Sequence, residues 1–362
     1  TPCEKEMLSF LKKQFTLDME NLTKDNNMSL LGKWLPSVNA SNPQTIRNAK
    51  KIAKAFGMND AKYRKALSTL RAQIHILENY LREKDYSFDY ETQPSRAMFK
   101  YRKAFMRNDK ERFASFLSAV ASGTAKLHAD LVSPYELVEP YLSTNWAWNQ
   151  KSFLREMTAD EKATLNATWQ SLPDFGGNEN AIAVIDTSGS MYCDAKPIPA
   201  AVALSLGLYF AERNQGTFQN HFITFSTRPK LIELKGNTFV DKLRYITTYN
   251  EISDTNLEAV FDLILNVAIK NQLSQKELPA KLIIISDMEF NACVEDASES
   301  NFQNAKKKYQ ANGYQLPEIV FWNVASRNRQ QPVTMNEQGV ILISYKRTKT
   351  VRLNCTEFCH FA

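Results

Sequence analysis

Asp186-Thr187-Ser188-Gly189-Ser190 sets one carboxylate and two hydroxyls at alternate positions, directly after the apolar run 181–185. Alternate side chains can converge on a single ion where a strand turns into a helix, and Gly189 permits the tight turn. Two further oxygen donors fall where the same ion would need them. Thr255 precedes the amphipathic stretch 256–272, and Asp287 ends the run 282–286. Asp186, Ser188, Ser190, Thr255 and Asp287 form an all-oxygen set with only two carboxylates. Such a set suits Mg²⁺, or Mn²⁺ or Ca²⁺, retaining waters and one open position. Asp254 and Glu289 flank it, as supports of the ligands or as solvated neighbours. The competing reading is that these polar loops only cap helices.

The elements that must position these donors are short and apolar. Residues 181–185, 221–225, 282–285, 319–322 and 340–343 are continuous apolar runs, as in parallel strands covered on both faces. Residues 199–213 are apolar nearly all round and read as a central helix. In 256–272, Leu257, Val260, Phe261, Ile264, Leu265 and Ala268 fall on one stripe. The gap from Phe225 to the run 230–234 is too short for a crossover helix, so that strand returns antiparallel at an edge. A doubly wound, mostly parallel sheet follows, and its ligand edge is the carboxyl one.

Before residue 142 the apolar spacing is three and four, with helices expected over 4–14, 43–56, 60–82, 97–107, 109–123 and 134–141, and no strand. Asn59-Asp60 and Asn108-Asp109 are capping pairs, and Pro43 and Pro134 fit first turns. Short helices joined by polar turns suggest antiparallel hairpins of the HEAT kind. The expected fold class is therefore α + α/β. The expected division is a helical domain 1–142, a linker 143–177, an α/β domain 178–345 and a tail 346–362. The linker holds Trp146, Trp148 and a charged helix near 158–170, and ends at Gly176-Gly177.

Composition limits the function classes. The 362 residues are 43% hydrophobic and 23% charged, ordinary for a globular chain. No run of about 18 apolar residues exists and the N-terminus shows no signal-peptide pattern, so no membrane partner and a cytoplasmic location are expected. Five scattered Cys read as reduced thiols. Residues 1–150 carry 23 Lys and Arg against 16 Asp and Glu, whereas 181–362 carry 19 against 18. The basic surplus is in the helical half and is compatible with a phosphate-rich partner.

Catalytic readings find no support. A phosphoryl-transfer nucleophile at Asp186 would want a second acid at Ser188, and no phosphate-binding Gly-Lys loop exists. His75, His128, His221 and His360 are scattered, and Cys355 with Cys359-His360 is too sparse for a closed zinc site. Cys193 has no neighbouring His to activate it. The chain is expected not to be an enzyme.

The later set resembles the metal-ion-dependent adhesion site of von Willebrand factor A domains, Asp-x-Ser-x-Ser with a later Thr and a later Asp. The resemblance implies that the hydroxyls touch the metal, the carboxylates act partly through water, and a partner protein's acidic side chain completes the shell. The helical stretches 31–36, 63–71 and 94–98 together with this domain resemble the Ro (TROVE) architecture, and more closely an uncharacterised family of bacterial, phage and plant proteins. That resemblance implies RNA binding by the helical part. Arg64, Lys65, Arg96, Arg102, Lys103 and Arg107, with Arg71 and Lys100, would meet phosphates, and Tyr63, Phe99, Tyr101 and Phe105 would offer stacking faces. The competing reading puts the bases on solvent-exposed helix faces and the aromatics in the core. The Ro-like family continues past its last strand with another helix, whereas this chain ends in a short Cys-containing tail. The expected function is a non-enzymatic RNA-binding scaffold with a metal-dependent protein-interaction domain; the alternative is a metal-dependent protein adaptor without RNA.

Overall fold

Apolar spacing in the first unit of the chain, 1–89, produces helices α1 (Pro2–Thr23), α2 (Leu31–Trp34), α3 (Pro43–Phe56), α4 (Asp60–Gln73) and α5 (Leu77–Glu83). The computed structural model describes residues 2–24, 28–74, 76–143, 154–175, 180–193, 195–250, 255–288, 297–325 and 340–344. Asn42 starts α3 by accepting the Gln44 and Thr45 amides, Pro43 pre-sets its first turn, and Gly57 ends it at φ +77°. Asn59 starts α4 through the Lys62 amide. Phe15, Ala49, Ala53, Phe56, Tyr63, Leu67 and Leu70 form the core between α1, α3 and α4.

The unbroken helix expected over 60–82 is interrupted. Ile74 is extended (φ −68°, ψ 125°), and the Asn79 amide of α5 donates back to the Arg71 and Ile74 carbonyls, each at 2.7 Å. β-branched Ile74 and Ile76 disfavour helix, and Asn79 satisfies carbonyls that the break leaves open.

The second unit, 90–362, opens with α6 (Ser95–Asn108), α7 (Lys110–Ala121), α8 (Tyr135–Val138), a 3-10 turn (Glu139–Tyr141) and α9 (Ala159–Gln170). It continues as β1 (Ala181–Asp186), α10 (Pro199–Arg213), β2 (His221–Phe225), β3 (Leu231–Glu233), α11 (Phe239–Thr247), α12 (Leu257–Lys270), β4 (Lys281–Ser286), α13 (Ala297–Ala311), β5 (Glu318–Asn323) and β6 (Val340–Ser344). The strands form one sheet in the order β3-β2-β1-β4-β5-β6. All neighbours are parallel except β3, which returns antiparallel along β2. The architecture is α + α/β with a mostly parallel sheet.

One sheet face, with Ala183, Ile185, Ile283, Ile285, Val320 and Trp322, packs against α10, α11, α8 and α9. The opposite face, with Ile182, Val184, Leu282, Ile284, Ile319 and Phe321, packs against α12 and α13. Helix α10 is buried from Pro199 to Ala211, as its all-round apolar character predicts. Gly207 lets it approach β1, since a Cβ there would stand 2.1 Å from Ile185 Cδ1.

Although α9 lies in the stretch expected as linker, it is built into this unit. Trp169 stacks on Phe239 with centroids 4.2 Å apart and donates to Glu212 at 2.6 Å. The Tyr209 hydroxyl of α10 donates to the Pro173 carbonyl and accepts from the Phe175 amide. Among the described residues no helix is long and apolar enough to cross a membrane.

Candidate metal centre

The chain leaves β1 towards β2 on one side and leaves β4 towards β5 on the other. Loops from two adjacent strands that diverge in this way open a crevice at the carboxyl edge of the sheet. Asp186 and Asp287 sit at that crevice, 1% and 2% exposed. The N-terminus of α12 belongs to the same edge, because the helix must run back along the sheet before β4 begins.

Asp186 is held from both sides. Its Oδ1 accepts the Ser188 amide at 2.8 Å, and its Oδ2 accepts the Ser286 hydroxyl at 2.5 Å. Ser188 Oγ lies 3.2 Å from Ser190 Oγ, so the two hydroxyls of the Asp-x-Ser-x-Ser loop point to one place. The 3-10 turn Gly189–Tyr192 closes that loop, with Met191 and Tyr192 buried beneath it. Burial pushes the Asp186 carboxyl up to about 6; Asp287 adds to the rise, and the hydrogen bonds from Ser286 and Ser188 oppose it. Burial, reinforced by Asp186, likewise raises the Tyr192 phenol, which the Asn250 amide contacts.

The structure thus brings Asp186, Ser188 and Ser190 together, with Asp287 beside Asp186 just past the end of β4. Thr255 stands half-buried two residues before α12, ahead of the cap Asn256, whose side chain accepts the Ala259 amide at 3.0 Å. Asp254, Glu289, His75, Cys355, Cys359 and His360 lie outside the described residues. Ser286 was not among the expected residues; its position follows only from strand register. Ser226, the residue after β2 at the same edge, is 1% exposed, and among the described residues its Oγ has no hydrogen-bond partner.

Oxygen chemistry at this edge fits a divalent cation. Two buried carboxylates repel each other, Asp287 adding to the raised proton affinity of Asp186, and a divalent cation between them would offset that like charge. Among the described residues no three His, Cys, Asp or Glu side chains gather. A metal here would therefore take hydroxyls and water besides carboxylates, the donor set of Mg²⁺ or Mn²⁺ and not of zinc.

Two family models divide the chain between them. Residues 180–354 match a domain of unknown function, DUF7788, and residues 9–174 match another, DUF2828. Uncharacterized protein L728 of Acanthamoeba polyphaga mimivirus is 28% identical over 353 residues, a match covering 91% of this chain. The chain spans 59% of that relative's length. The crystal structure of the Ro (RSR) protein of Deinococcus radiodurans is similar with a TM-score of 0.45 at 12% identity, covering 87% of this chain and 62% of that one.

The basic residues fall into different settings. Arg64 and Lys65 are exposed on α4 of the first unit. Arg71 is an anchor: its guanidinium donates to the Gly32 and Leu35 carbonyls at 2.9 and 2.7 Å, closing the end of α2. Tyr63 and Phe105 are fully buried, so neither offers a stacking face. In the second unit, Arg102 lies over the Phe99 ring at 3.9 Å and bonds the Phe99 carbonyl. Arg96, Lys100, Lys103 and Arg107 are all exposed. Their spacing of four, three and four puts them on one stripe of α6, opposite the buried Met98 and Phe105. Arg96 pairs there with Glu136 at 2.6 Å.

Proposed function

We propose that this protein is a non-enzymatic scaffold whose α/β part is a von Willebrand A-type domain that recognises a protein partner through a divalent cation. The cation, Mg²⁺ by preference, would be held by Asp186, Ser188, Ser190, Thr255 and Asp287, and an acidic side chain of the partner would fill its open position. The observation that carries this reading is the pair of buried carboxylates beside the converging Ser188 and Ser190 hydroxyls, at the carboxyl edge of adjacent strands whose onward connections diverge. Isothermal titration with Mn²⁺ tests it: one equivalent should bind the wild type and none the Asp186→Asn, Asp287→Asn double variant. Equal binding by both proteins would reject the site.

A second reading adds RNA, and the α6 stripe favours it. Four exposed cationic side chains in a row track a phosphate backbone without base readout. Binding to single-stranded RNA should then weaken steeply with salt. In the Lys100→Glu, Lys103→Glu, Arg107→Glu variant the slope of log K against log salt should become shallower by about 0.7 for each phosphate that is no longer neutralised. Binding that ignores salt and these substitutions leaves the adaptor without RNA.

A further inference from the structure

Ser286 is the last residue of β4, and the parallel register that sets Ile185 beside Ile285 brings residues 186 and 286 side by side on the same sheet face. Ser286 is 1% exposed. Its Oγ stands 2.5 Å from Asp186 Oδ2 and accepts the Met288 amide at 3.1 Å. A serine hydroxyl has a single proton. The Met288 N–H can only donate and the ionised Asp186 carboxylate can only accept, so that proton goes to Asp186.

One hydroxyl therefore governs both carboxylates. By donating, it fixes the rotation of the Asp186 side chain at the end of β1. By accepting, it closes the turn 286–288 that carries Asp287, in which Met288 takes the left-handed φ of +58°. A non-glycine residue holds such a φ only where its surroundings enforce it, and the Ser286 oxygen is one of those restraints. Ser188 secures Asp186 from within its own loop through Oδ1; Ser286 ties that carboxylate to the strand bearing the other one.

We infer that Ser286 is a positioning residue that sets the geometry of Asp186 relative to Asp287 and through it the affinity of the edge for a divalent cation. This rests on the metal reading above. Groups that hydrogen-bond metal ligands commonly change affinity by about 10–100-fold when removed.

The experiment uses the full chain and reads free Mn²⁺ by electron paramagnetic resonance, with Asp186→Asn marking the zero of site binding. Ser286→Ala should weaken Mn²⁺ binding about 10–100-fold while its thermal midpoint in chelator stays near that of the wild type. Ser286→Thr, which keeps the Oγ, should restore most of the affinity, and Ser286→Cys, a weaker donor, should fall between. Wild-type affinity in Ser286→Ala overturns the inference. So does equal weakening in Ser286→Ala and Ser286→Thr with equally lowered midpoints, which is the behaviour of a packing position. A wild type that binds Mn²⁺ no better than Asp186→Asn fails the metal reading itself, and the inference with it.

Discussion

Asp186 concentrates the electrostatic conflict of the centre. Burial, with a smaller addition from Asp287, pushes its proton affinity up from 3.8 to about 6, while an unfolded chain would release the proton near the ordinary value. In chelator the native state holds a proton between about pH 4 and 6 that the unfolded state has lost. Unfolding free energy attributable to this group is therefore highest at the acid end, falls through that window, and stays low above it. Asparagine at 186 cannot ionise, so the stability difference between wild type and Asp186→Asn should swing by up to about 3 kcal/mol from pH 4 to 7, with the wild type losing ground as pH rises. Urea unfolding in chelator measures it, and a flat difference would mean that Asp186 is solvated in solution. Cation binding favours the ionised form, so Mg²⁺ should stabilise the wild type more at pH 7 than at pH 5.

Helix α10 shows how an element delivers that residue. It spans the sheet from the loop of Ser188 and Ser190, and its packing on β1 depends on Gly207 facing Ile185. Gly207→Ala gains about 1 kcal/mol of helix propensity but drives a methyl into Ile185, and overpacking of this kind costs about 1–3 kcal/mol. The expected net result is destabilisation. Ile185→Val removes the Cδ1 atom that a Cβ at 207 would meet at 2.1 Å, so the double variant should be more stable than the two single losses added together. Additive losses in a denaturant series would show that α10 shifts as a body.

What sequence makes legible at this scale depends on whether the cause is local. Residues 43–56 and 199–213 are readable to the residue because Asn42-Pro43, Gly57 and Pro199 mark their ends. The strands, and the antiparallel return of β3, follow from run lengths and one short gap. The break at Ile74 is not legible, since the amide that accommodates it comes from Asn79 in the next helix. Helix α11 escapes despite its Thr238 and Asp241 capping box, because nine residues after a three-residue strand give too little periodicity to stand out. The same distinction governs the site. Asp186, Ser188 and Ser190 are adjacent in sequence and declare themselves, whereas Ser286 acts on Asp186 across 100 positions through strand register.

At the scale of the whole molecule, packing and sequence families divide the chain at different places. The family matches end at 174 and begin again at 180, while the compact units divide between Asp89 and Tyr90. The reason is the core that runs from Ala129, Leu137 and Tyr141 through Leu165 and Trp169 into α10 and the sheet. Glu139 also accepts the Ile198 amide just before α10, at 2.9 Å. A chain shortened to 178–362 would keep the sheet and the candidate ligands but strip α8 and α9 from α10, exposing side chains that the native unit keeps dry. Burial of one large apolar side chain contributes about 1.5–3 kcal/mol, so removing Leu137, Leu165 and Trp169 together is comparable to the whole stability of a domain, about 5–15 kcal/mol. The shortened chain should bind a hydrophobic dye and unfold without a cooperative transition, whereas 90–362 should unfold cooperatively and retain Mn²⁺ binding. A cooperative transition in 178–362, at the denaturant midpoint of 90–362, would show that the helices merely lean on a self-sufficient α/β domain.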